Sequence, residues 1–263
     1  MNTKVTENKI GILGAGNIGR ALIIKLLEKG YPEENIKLTY RGSIFTFEKI
    51  YDNDLVDMIS DNSRIVEESD IIILTVPPQS FKQIGDFGLD DDKLVISFMA
   101  GIPIDDIKKQ TGSDNVVRVM PTGPDTILNS SAIAGVYPPE DTVCELLDLL
   151  EVEYHVLDSE EDVKYMTLIG CLPAVYCNYD YGSDENKEAV DRLSESFPLF
   201  KELSYKASLL VPTENKDEFV KNVSTPGGVT QKILFSLESG KSIYDSLIVA
   251  LDYIDKLKDI IFV

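Results

Sequence analysis

The sequence predicts an α/β protein of two parts: a doubly wound parallel sheet over residues 1–158, followed by an all-helical domain over residues 159–263. Three observations predict this class. Short runs of consecutive apolar residues alternate with helical stretches in the first part, which is typical of a parallel sheet covered on both faces. A glycine-rich turn directly follows the first of these runs. After residue 157, only helical periodicity remains.

The first part opens with a strand, a helix and a second strand. Residues 9–13 form the first predicted strand. Apolar residues at helical spacing between Ile18 and Leu27 predict the helix, and Gly30 is placed to end it in the left-handed conformation. The second strand is predicted over residues 36–40. Further strands are predicted over residues 71–76, 94–99, 116–120, 131–137 and 153–157, with a helix over residues 142–150.

The second part is predicted to be built of helices alone. Their spans are residues 160–181, 184–210, 217–223, 227–239 and 242–261, and residues 182–184 and 211–213 mark turns. No repeat or low-complexity segment interrupts them.

The composition excludes several classes of partner and site. The 45 acidic side chains against 25 basic ones give a formal charge of −20, which repels nucleic acid and anionic lipid headgroups. We expect no membrane span, because no apolar run is long enough. Cys144, Cys171 and Cys177 match neither a zinc site nor a disulfide framework, so we expect reduced thiols and a cytoplasmic location. The single histidine, His155, gives little support to a metal site or a Ser-His-Asp triad.

The glycine turn has the pattern of a dinucleotide-binding unit. Gly14, Gly16 and Gly19 stand at the spacing G-x-G-x-x-G, between a strand and a helix and within about 30 residues of the second strand. Gly14 suits the tight turn, Gly16 lets the backbone approach a pyrophosphate, and Gly19 allows close packing of the helix on the strand. Free amides at the helix start would hold the phosphates. The pattern predicts a Rossmann-type fold with a nicotinamide dinucleotide as cofactor.

The end of the second strand bears on the choice between NADPH and NADH. A site for NADH places an acidic residue there to accept hydrogen bonds from the ribose. This chain has Tyr40, Arg41, Gly42 and Ser43 instead. A guanidinium followed by a small hydroxyl suits a 2′-phosphate. We therefore expect NADPH, with NADH as the alternative.

Two further strand ends face the predicted cofactor. Pro77 and Pro78 follow one predicted strand, and Ala100 and Gly101 follow the next. Ligands of such sheets bind at the carboxyl ends of the strands. We expect both pairs to wall the nicotinamide side of the site.

A loop in the helical part predicts an anion site. Residues 222–230 lead into a helix, with Thr225 as its cap and Pro226 at its first position. Gly227 and Gly228 weaken a helix by about 1 kcal/mol each relative to alanine, and their amides let an anion touch the backbone. We therefore expect this loop to bind the carboxylate of a small-molecule substrate.

Five segments form a series of motifs in a fixed order. They are Gly14-Ala15-Gly16-Asn17, Val76-Pro77-Pro78-Gln79, Ala100-Gly101-Ile102, residues 116–121 and residues 222–228. In these segments the chain resembles the pyrroline-5-carboxylate reductase family. The resemblance implies an oxidoreductase of proline biosynthesis that reduces the cyclic imine 1-pyrroline-5-carboxylate to L-proline, with hydride delivered from NAD(P)H to the imine carbon. It also implies a homodimer or higher homo-oligomer, in which the helical domains of two subunits interlock and share each active site.

The resemblance also implies roles for individual residues. The carboxylate cradle of the family corresponds to Asn222, Thr225, Val229 and Thr230, and Thr230 is the expected catalytic residue, hydrogen bonded near the ring nitrogen. The expected cofactor contacts are Leu13, Gly14, Ala15, Gly16, Asn17, Ile18, Tyr40, Arg41, Asn62, Thr75, Val76, Pro77, Pro78, Ala100 and Gly101. No metal is expected, because the cofactor carries the chemistry.

Two segments depart from the family pattern. The family sequence Met-Pro-Asn-Thr-Pro stands here as residues 120–124, which lack the asparagine. The family sequence Ser-Gly-Ser-Gly-Pro-Ala-Tyr stands here as residues 169–175, in which Ile169, Cys171 and Leu172 replace both serines and one glycine. Two alternatives to the imine reductase follow. One is a reductase of a different small imine or keto acid. The other is a catalytically silent NADPH-binding regulatory protein, in which Ile169 and Leu172 fill the former substrate pocket.

Overall fold

One mixed β-sheet forms the centre of the computed structural model, which describes residues 4–85, 87–90 and 93–262. Its strands are β1 (Ile10–Leu13), β2 (Ile36–Leu38), β3 (Ile71–Leu74), β4 (Leu94–Ser97), β5 (Val116–Pro121), β6 (Ile133–Tyr137) and β7 (Glu153–Val156). Strands β1, β3 and β4 are buried along their whole length. That burial confirms the interpretation of unbroken apolar runs as strands covered on both faces.

The order of the strands creates a crevice beside β1. The sheet runs β2-β1-β3-β4-β5-β6-β7, and its neighbouring strands are parallel except for the antiparallel pair β5 and β6. Beyond β2, one further parallel bridge joins Leu38 to Ile59. The chain order reverses at β1, and the carboxyl ends of β1 and β3 meet at this reversal, where doubly wound sheets bind their ligands. The predicted fold class is confirmed.

Helices α1–α6 are interspersed with the strands. They are α1 (Asn17–Glu28), α2 (Ile44–Asp52), α3 (Asn62–Glu68), α4 (Ile104–Thr111), α5 (Pro124–Leu128) and α6 (Asp141–Leu149). Gly30 follows α1 with φ +80°, as predicted for its C-terminal end. Short 3₁₀ helices lie at Lys4–Glu7, Glu33–Asn35, Val56–Met58, Pro78–Ile84 and Glu160–Asp162.

The part that follows β7 is helical, as expected. Its helices are α7 (Val163–Tyr176), α8 (Asp184–Ser194), α9 (Phe200–Leu209), α10 (Lys216–Val223), α11 (Val229–Glu238) and α12 (Ile243–Phe262). The single helix predicted over residues 184–210 is wrong. The chain breaks it between α8 and α9, where Pro198 has no amide hydrogen and disfavours a helical residue before it. Helix α7 ends at Tyr176, before the predicted residue 181, and in the turn that follows Asp180 accepts a hydrogen bond from the amide of Gly182 at 2.9 Å.

Two hydrophobic clusters cover the two faces of the sheet. Successive residues of a strand point to opposite faces, so Ile73 packs with Leu22 of α1, whereas Leu74 packs in the cluster that contains Leu168 and Leu247 of α7 and α12. The second cluster contains residues from both sides of position 158/159. The helical part therefore packs directly on the sheet, beside the carboxyl ends of its strands. The division into domains at 158/159 stays a prediction.

Candidate functional site

The glycine turn connects β1 to α1 at the crevice of the sheet. Gly14 has φ +120°, and a Cβ added there would stand 2.9 Å from the amide nitrogen of Val76. A Cβ at Gly19 would overlap the carbonyl oxygen of Gly14 and stand 2.8 Å from Oγ1 of Thr75. At the exposed Gly16, the nearest atom would be 3.9 Å away. Gly14 and Gly19 thus permit close packing, whereas Gly16 leaves the space that a pyrophosphate needs.

The start of α1 is open to an anion. Among the described residues no side chain caps this helix, so its first amides have no partner within it. Behind the turn lies the buried guanidinium of Arg20, which donates to the carbonyl oxygen of Ala15 at 2.6 Å and to Oδ1 of Asn17 at 2.8 Å. Burial lowers the pKa of Arg20, although an arginine stays charged at neutral pH. Amides and guanidinium together favour phosphate binding.

The loop before α11 differs from its prediction. Helix α11 begins at Val229 with Gly228 as its N-cap residue. The amide of Gly228 donates to the carbonyl oxygen of Thr225 at 2.8 Å, which closes a turn. The prediction that Thr225 caps the helix and Pro226 opens it is therefore wrong, because Gly227 has φ +71° and leaves the helical path. No described side chain caps α11, so its first amides remain open to an anion.

Polar contacts join the two loops within one chain. Nδ2 of Asn17 donates to the carbonyl oxygen of Asn222 at 2.8 Å. The carbonyl oxygen of Gly227 accepts from the hydroxyl of Tyr253 at 2.6 Å and from Nε2 of Gln79 at 3.5 Å. The loop over residues 222–230 is therefore held over the glycine turn of its own chain, and no second subunit is needed to bring the two together.

Asn222 also lies beside a buried carboxyl. Burial raises the pKa of Asp125, which faces the side chain of Asn222, and Oδ2 of Asp125 is buried with no hydrogen-bond partner among the described residues. The main-chain carbonyl oxygen of Asn222 is engaged by Asn17, and the contact of its side chain with a substrate stays a prediction.

A cavity of about 490 Å³ lies between the two loops. Its walls bring together most of the predicted residues: Gly16, Asn17, Ile18, Thr75, Val76, Pro77, Pro78, Ala100, Asn222, Thr225, Val229 and Thr230. The lining, so far as it is described, contains no histidine, aspartate, glutamate or tyrosine. It offers amides, hydroxyls, two basic side chains and apolar surface. Such a lining fits a reaction whose chemistry is supplied by a bound cofactor.

Seven predicted cofactor residues lie outside the lining of this cavity. They are Leu13, Gly14, Ala15, Tyr40, Arg41, Asn62 and Gly101. Leu13 and Ala15 are buried behind the glycine turn, and Asn62 donates to the carbonyl oxygen of Ile84 at 3.4 Å. The predicted position of Gly101 on the nicotinamide side is wrong. Helix α12 packs on it so closely that a Cβ would stand 2.7 Å from the carbonyl oxygen of Ile254, and Gly101 lines a second cavity of about 400 Å³.

Tyr40 and Arg41 lie on the surface beyond the cavity. The hydroxyl of Tyr40 donates to the carbonyl oxygen of Ser43 at 2.8 Å, and Nη1 of Arg41 donates to Oε1 of Gln83 at 2.9 Å. Arg41 and Ser43 are both exposed. Ser43 is the N-cap residue of α2 and makes no capping hydrogen bond with its side chain. A cation and an uncapped helix start thus follow β2 directly.

Helix α7 forms another wall of the cavity with its smaller residues. Ile169 and Leu172 are fully buried in the core and do not line the cavity. The hypothesis that they fill a former substrate pocket is wrong, because they point to the side of α7 that packs on other helices. Gly170 and Cys171 line the cavity instead. A Cβ at Gly170 would stand 3.0 Å from the carbonyl oxygen of Pro121, so α7 passes close to the end of β5.

Several lining residues were not predicted from the sequence. They include Arg20, Phe45, Thr46, Lys49, Phe98, Met99, Met120, Pro121, Thr167, Cys171 and Leu257. Phe98 and Pro121 stand at the carboxyl ends of β4 and β5, so the rule that ligands bind at strand ends already pointed to them. Thr167 and Cys171 have no such signal, because their position depends on how α7 packs.

Neither a cluster of metal-ligating side chains nor a membrane-spanning helix occurs among the described residues. They contain no group of three His, Cys, Asp or Glu side chains that could hold a metal ion. Nε2 of His155 contacts Oε1 of Glu153 at 3.1 Å, and Cys144, Cys171 and Cys177 are unpaired. Within the same residues, no helix has the length and apolar character to cross a bilayer.

Comparison with known proteins first defines a class. Residues 9–101 match the family described as NADP oxidoreductase coenzyme F420-dependent. Together with the doubly wound sheet and the glycine turn, this match places the chain among the Rossmann-type oxidoreductases that bind a nicotinamide dinucleotide.

Curated relatives and a solved structure narrow the class. A pyrroline-5-carboxylate reductase of Methanosarcina acetivorans is 34% identical over 149 residues, which cover 53% of this chain and 52% of the relative. Pyrroline-5-carboxylate reductase 2 of Bacillus subtilis is 25% identical over 244 residues, or 89% and 88% of the two chains. For the reductases of Arabidopsis thaliana, Vibrio alginolyticus and Pseudomonas aeruginosa, the chain spans about half the length of the relative.

The solved structure shows a shared fold. Pyrroline carboxylate reductase of Plasmodium falciparum, with NADP bound, has a TM-score of 0.57 at 20% identity, covering 96% of this chain and 98% of that one. The chain is thus similar in sequence, and over most of its length in fold, to pyrroline-5-carboxylate reductases.

Proposed function

We propose that this protein uses NADPH to reduce a small cyclic imine carboxylate, 1-pyrroline-5-carboxylate, to L-proline. The observation that carries the proposal is the single cavity in which the glycine turn and the loop over residues 222–230 face each other. One loop suits a pyrophosphate and the other suits a carboxylate, because both lie at open helix starts. The names of the curated relatives support the same substrate.

The start of α11 binds the carboxylate of the substrate in this proposal. The amides of Val229 and Thr230 are the first of the helix, and the helix dipole favours a negative charge there. The turn before them is held by Tyr253 and Gln79 through the carbonyl oxygen of Gly227. The cradle is therefore formed before a ligand arrives, which reduces the entropy cost of orienting the ring.

The dinucleotide supplies the hydride when it is bound. The protein orients the imine, excludes water and offers hydrogen bonds at the nitrogen. Since the described lining has no histidine, carboxyl or phenol side chain to donate a proton, we propose that the imine enters with its nitrogen already protonated. Hydride then adds to the imine carbon, the π electrons of the C=N bond become the lone pair of the nitrogen, and the nitrogen keeps its proton. Thr230 is the proposed partner of that nitrogen.

We propose NADPH rather than NADH as the preferred cofactor. No acidic residue stands at the end of β2 to accept hydrogen bonds from the ribose hydroxyls. Arg41 is exposed there, and Ser43 precedes α2 with a hydroxyl that makes no capping hydrogen bond. A guanidinium and an open helix start are suited to the 2′-phosphate that distinguishes NADPH.

We further propose that the protein is a homodimer or higher homo-oligomer in the cytoplasm. Large apolar side chains are exposed on the helical part, at Tyr205, Leu209 and Phe235, and apolar surface of this kind favours association. The unpaired thiols fit a reducing compartment. Light scattering on the purified protein is expected to give at least twice the mass of one chain, and the mass of one chain would contradict the assembly.

An assay of NADPH oxidation with 1-pyrroline-5-carboxylate tests the proposed function. We expect turnover by the wild type and a loss of kcat/KM of about 10-fold to 100-fold in Thr230→Val, which removes a hydrogen bond to a charged group. Thr213→Val is the matched control, because Thr213 is exposed and lies outside the cavity. Tight binding of NADPH without any turnover of this imine would overturn the proposal.

A further inference from the structure

One wall of the cavity is made by two hydroxyls and a thiol. Thr167 and Cys171 lie on α7, and Thr230 lies on α11. All three line the cavity, yet their exposed fractions are only 5%, 4% and 7%. Because the three groups are buried, a ligand can use only the hydrogen-bond donors and acceptors that they leave free. Which ones are free depends on where each group donates its proton.

The hydrogen bonds of these groups have a defined direction. The thiol of Cys171 lies 3.1 Å from the carbonyl oxygen of Thr167, and a carbonyl oxygen can only accept. The one proton of the thiol is thereby used, so its sulfur can only accept from the hydroxyl of Thr230 at 3.3 Å. Burial raises the pKa of Cys171 to about 11, which keeps the thiol protonated at neutral pH.

The hydroxyl of Thr167 is engaged in the same way. It donates to the carbonyl oxygen of Val163 at 3.0 Å. A hydroxyl has one proton and two lone pairs. Because Thr167 and Thr230 both donate within the protein, only lone pairs are left for a ligand.

We infer that Cys171 is a positioning residue that makes this wall accept hydrogen bonds and not donate them, so that the site selects a ligand with an N–H group there. The inference rests on the proposed function and deepens it. A protonated imine or a secondary amine donates to Thr230, whereas the carbonyl oxygen of a 2-keto acid meets lone pairs and finds no donor. Of the substrate classes compatible with the fold, the wall therefore favours imino acids over keto acids.

The test compares two ligands that differ at the ring atom. L-Proline presents N–H groups at this position, and tetrahydrofuran-2-carboxylate presents an ether oxygen. Their dissociation constants are measured by calorimetry with NADP⁺ present, for the wild type and for the variants Cys171→Ala and Cys171→Ser. The ratio of the two constants within each protein is compared between proteins, so that the difference in ligand charge cancels.

The three proteins are expected to differ in this ratio. The wild type should bind L-proline more tightly than the ether. In Cys171→Ala, the hydroxyl of Thr230 is free to turn and donate. We therefore expect the preference for L-proline to fall by about 10-fold, which corresponds to the contribution of one hydrogen bond. In Cys171→Ser, the serine can donate to Thr167 and accept from Thr230, so the preference should be retained. A loss of packing alone would weaken both ligands equally and leave the ratio unchanged.

Thr230→Val keeps the test decisive if Cys171→Ala fails to fold. The valine has nearly the same shape and no lone pairs, so binding of L-proline should fall about 10-fold while binding of the ether stays within about twofold. An unchanged ratio in Cys171→Ala, or in Thr230→Val where Cys171→Ala does not fold, overturns the inference, and so does a wild type that prefers the ether. If that result accompanies turnover of 1-pyrroline-5-carboxylate, the proposed function stands and only the role of Cys171 fails. If neither ligand binds and no imine is turned over, both fail.

Discussion

The two loop-bearing walls of the cavity are built on different physical constraints. The wall at β1 and α1 depends on main-chain geometry, since Gly14 and Gly19 leave no room for a Cβ. The wall at α7 and α11 depends on side-chain hydrogen bonds, in particular the bond between Thr230 and Cys171. The first wall is proposed to bind the pyrophosphate, which all nicotinamide dinucleotides share. In the second wall, one substitution can change which ligand is preferred. We expect substitutions in the first to abolish binding and substitutions in the second to alter selectivity.

Gly19→Ala is expected to have the largest effect. Its Cβ would overlap the carbonyl oxygen of Gly14 and press on Thr75, so the turn must open. We expect a loss of stability of about 1–3 kcal/mol and a loss of NADPH affinity of at least about 100-fold. Chemical denaturation and a fluorescence titration with NADPH measure the two.

Gly16→Ala is the matched control for this variant. Its Cβ would stand 3.9 Å from the nearest atom, so stability should change by less than about 0.5 kcal/mol. The same Cβ occupies the space proposed for the pyrophosphate, so NADPH affinity should still fall. Equal losses of stability in the two variants would contradict the assignment of different roles to these glycines.

The thiol of Cys171 predicts a pH dependence of stability that is confined to alkaline conditions. Burial raises its pKa from the ordinary value near 9 to about 11. The folded state therefore holds this proton more tightly than the unfolded state does. Its contribution is complete below about pH 9 and is lost as the pH rises to about 11, by up to about 3 kcal/mol.

Cys171→Ser isolates this contribution, because serine does not titrate in the range. The free energy of unfolding of both proteins is measured by denaturant titration between pH 8 and pH 11. The free energy of unfolding of the wild type, taken relative to that of Cys171→Ser, should fall over that interval. Other titrating groups contribute equally in both proteins, so their contributions cancel in the difference. Parallel profiles would show that the thiol is not buried in the folded protein.

Arg41→Ala tests the cofactor preference at the surface end of the first wall. A hydrogen bond from a guanidinium to a phosphate contributes about 1.5–3 kcal/mol, so NADPH affinity should fall about 10-fold to 100-fold. NADH lacks the 2′-phosphate, and its affinity should be unchanged. Arg64→Ala serves as the control, because Arg64 is exposed and paired with Glu68 at 2.7 Å. An equal loss for both cofactors would contradict a specific role for Arg41.

Asn17→Ala tests the link between the two walls and is expected to have the smallest effect. The change removes the hydrogen bond to Asn222 at 2.8 Å, which contributes about 0.5–1.5 kcal/mol, and also the bond that Oδ1 of Asn17 accepts from Arg20. The KM for the imine should rise about threefold to tenfold as the loop loosens. Asn35→Ala is the control. It removes the hydrogen bond from Asn35 to the carbonyl oxygen of Thr6 at 3.4 Å, and Asn35 does not line the cavity. The same KM in both variants would show that the link does not position the loop.

Much of the fold could be predicted because buried elements have a characteristic residue composition. Strands covered on both faces appear as unbroken apolar runs, and the predicted positions of β1, β3 and β4 are confirmed. The antiparallel direction of β6 was not predicted, because an apolar run does not record which way its strand points. Pro198 indicated the break between α8 and α9. The helical spacing of apolar residues on both sides of it nevertheless predicted one continuous helix.

The site was predictable where residue type and main-chain geometry are linked. A tight turn, a close approach and a phosphate each require glycine, so the glycine turn could be located from sequence. The start of α11 was misplaced because the turn between Thr225 and Gly228 competes with capping, and both use the same residue types. The hydrogen bonds of Cys171 could not be predicted, since they exist only after α7 and α11 have packed together.

A crystal structure with NADPH and L-proline tests most directly the claim that the two walls form one catalytic site. We expect the pyrophosphate over Gly16 and the proline carboxylate on the first amides of α11. We also expect the ring nitrogen within hydrogen-bond distance of Oγ1 of Thr230. Proline bound outside the cavity, or bound inside it with the nitrogen turned away from Thr230 toward solvent, would contradict the account.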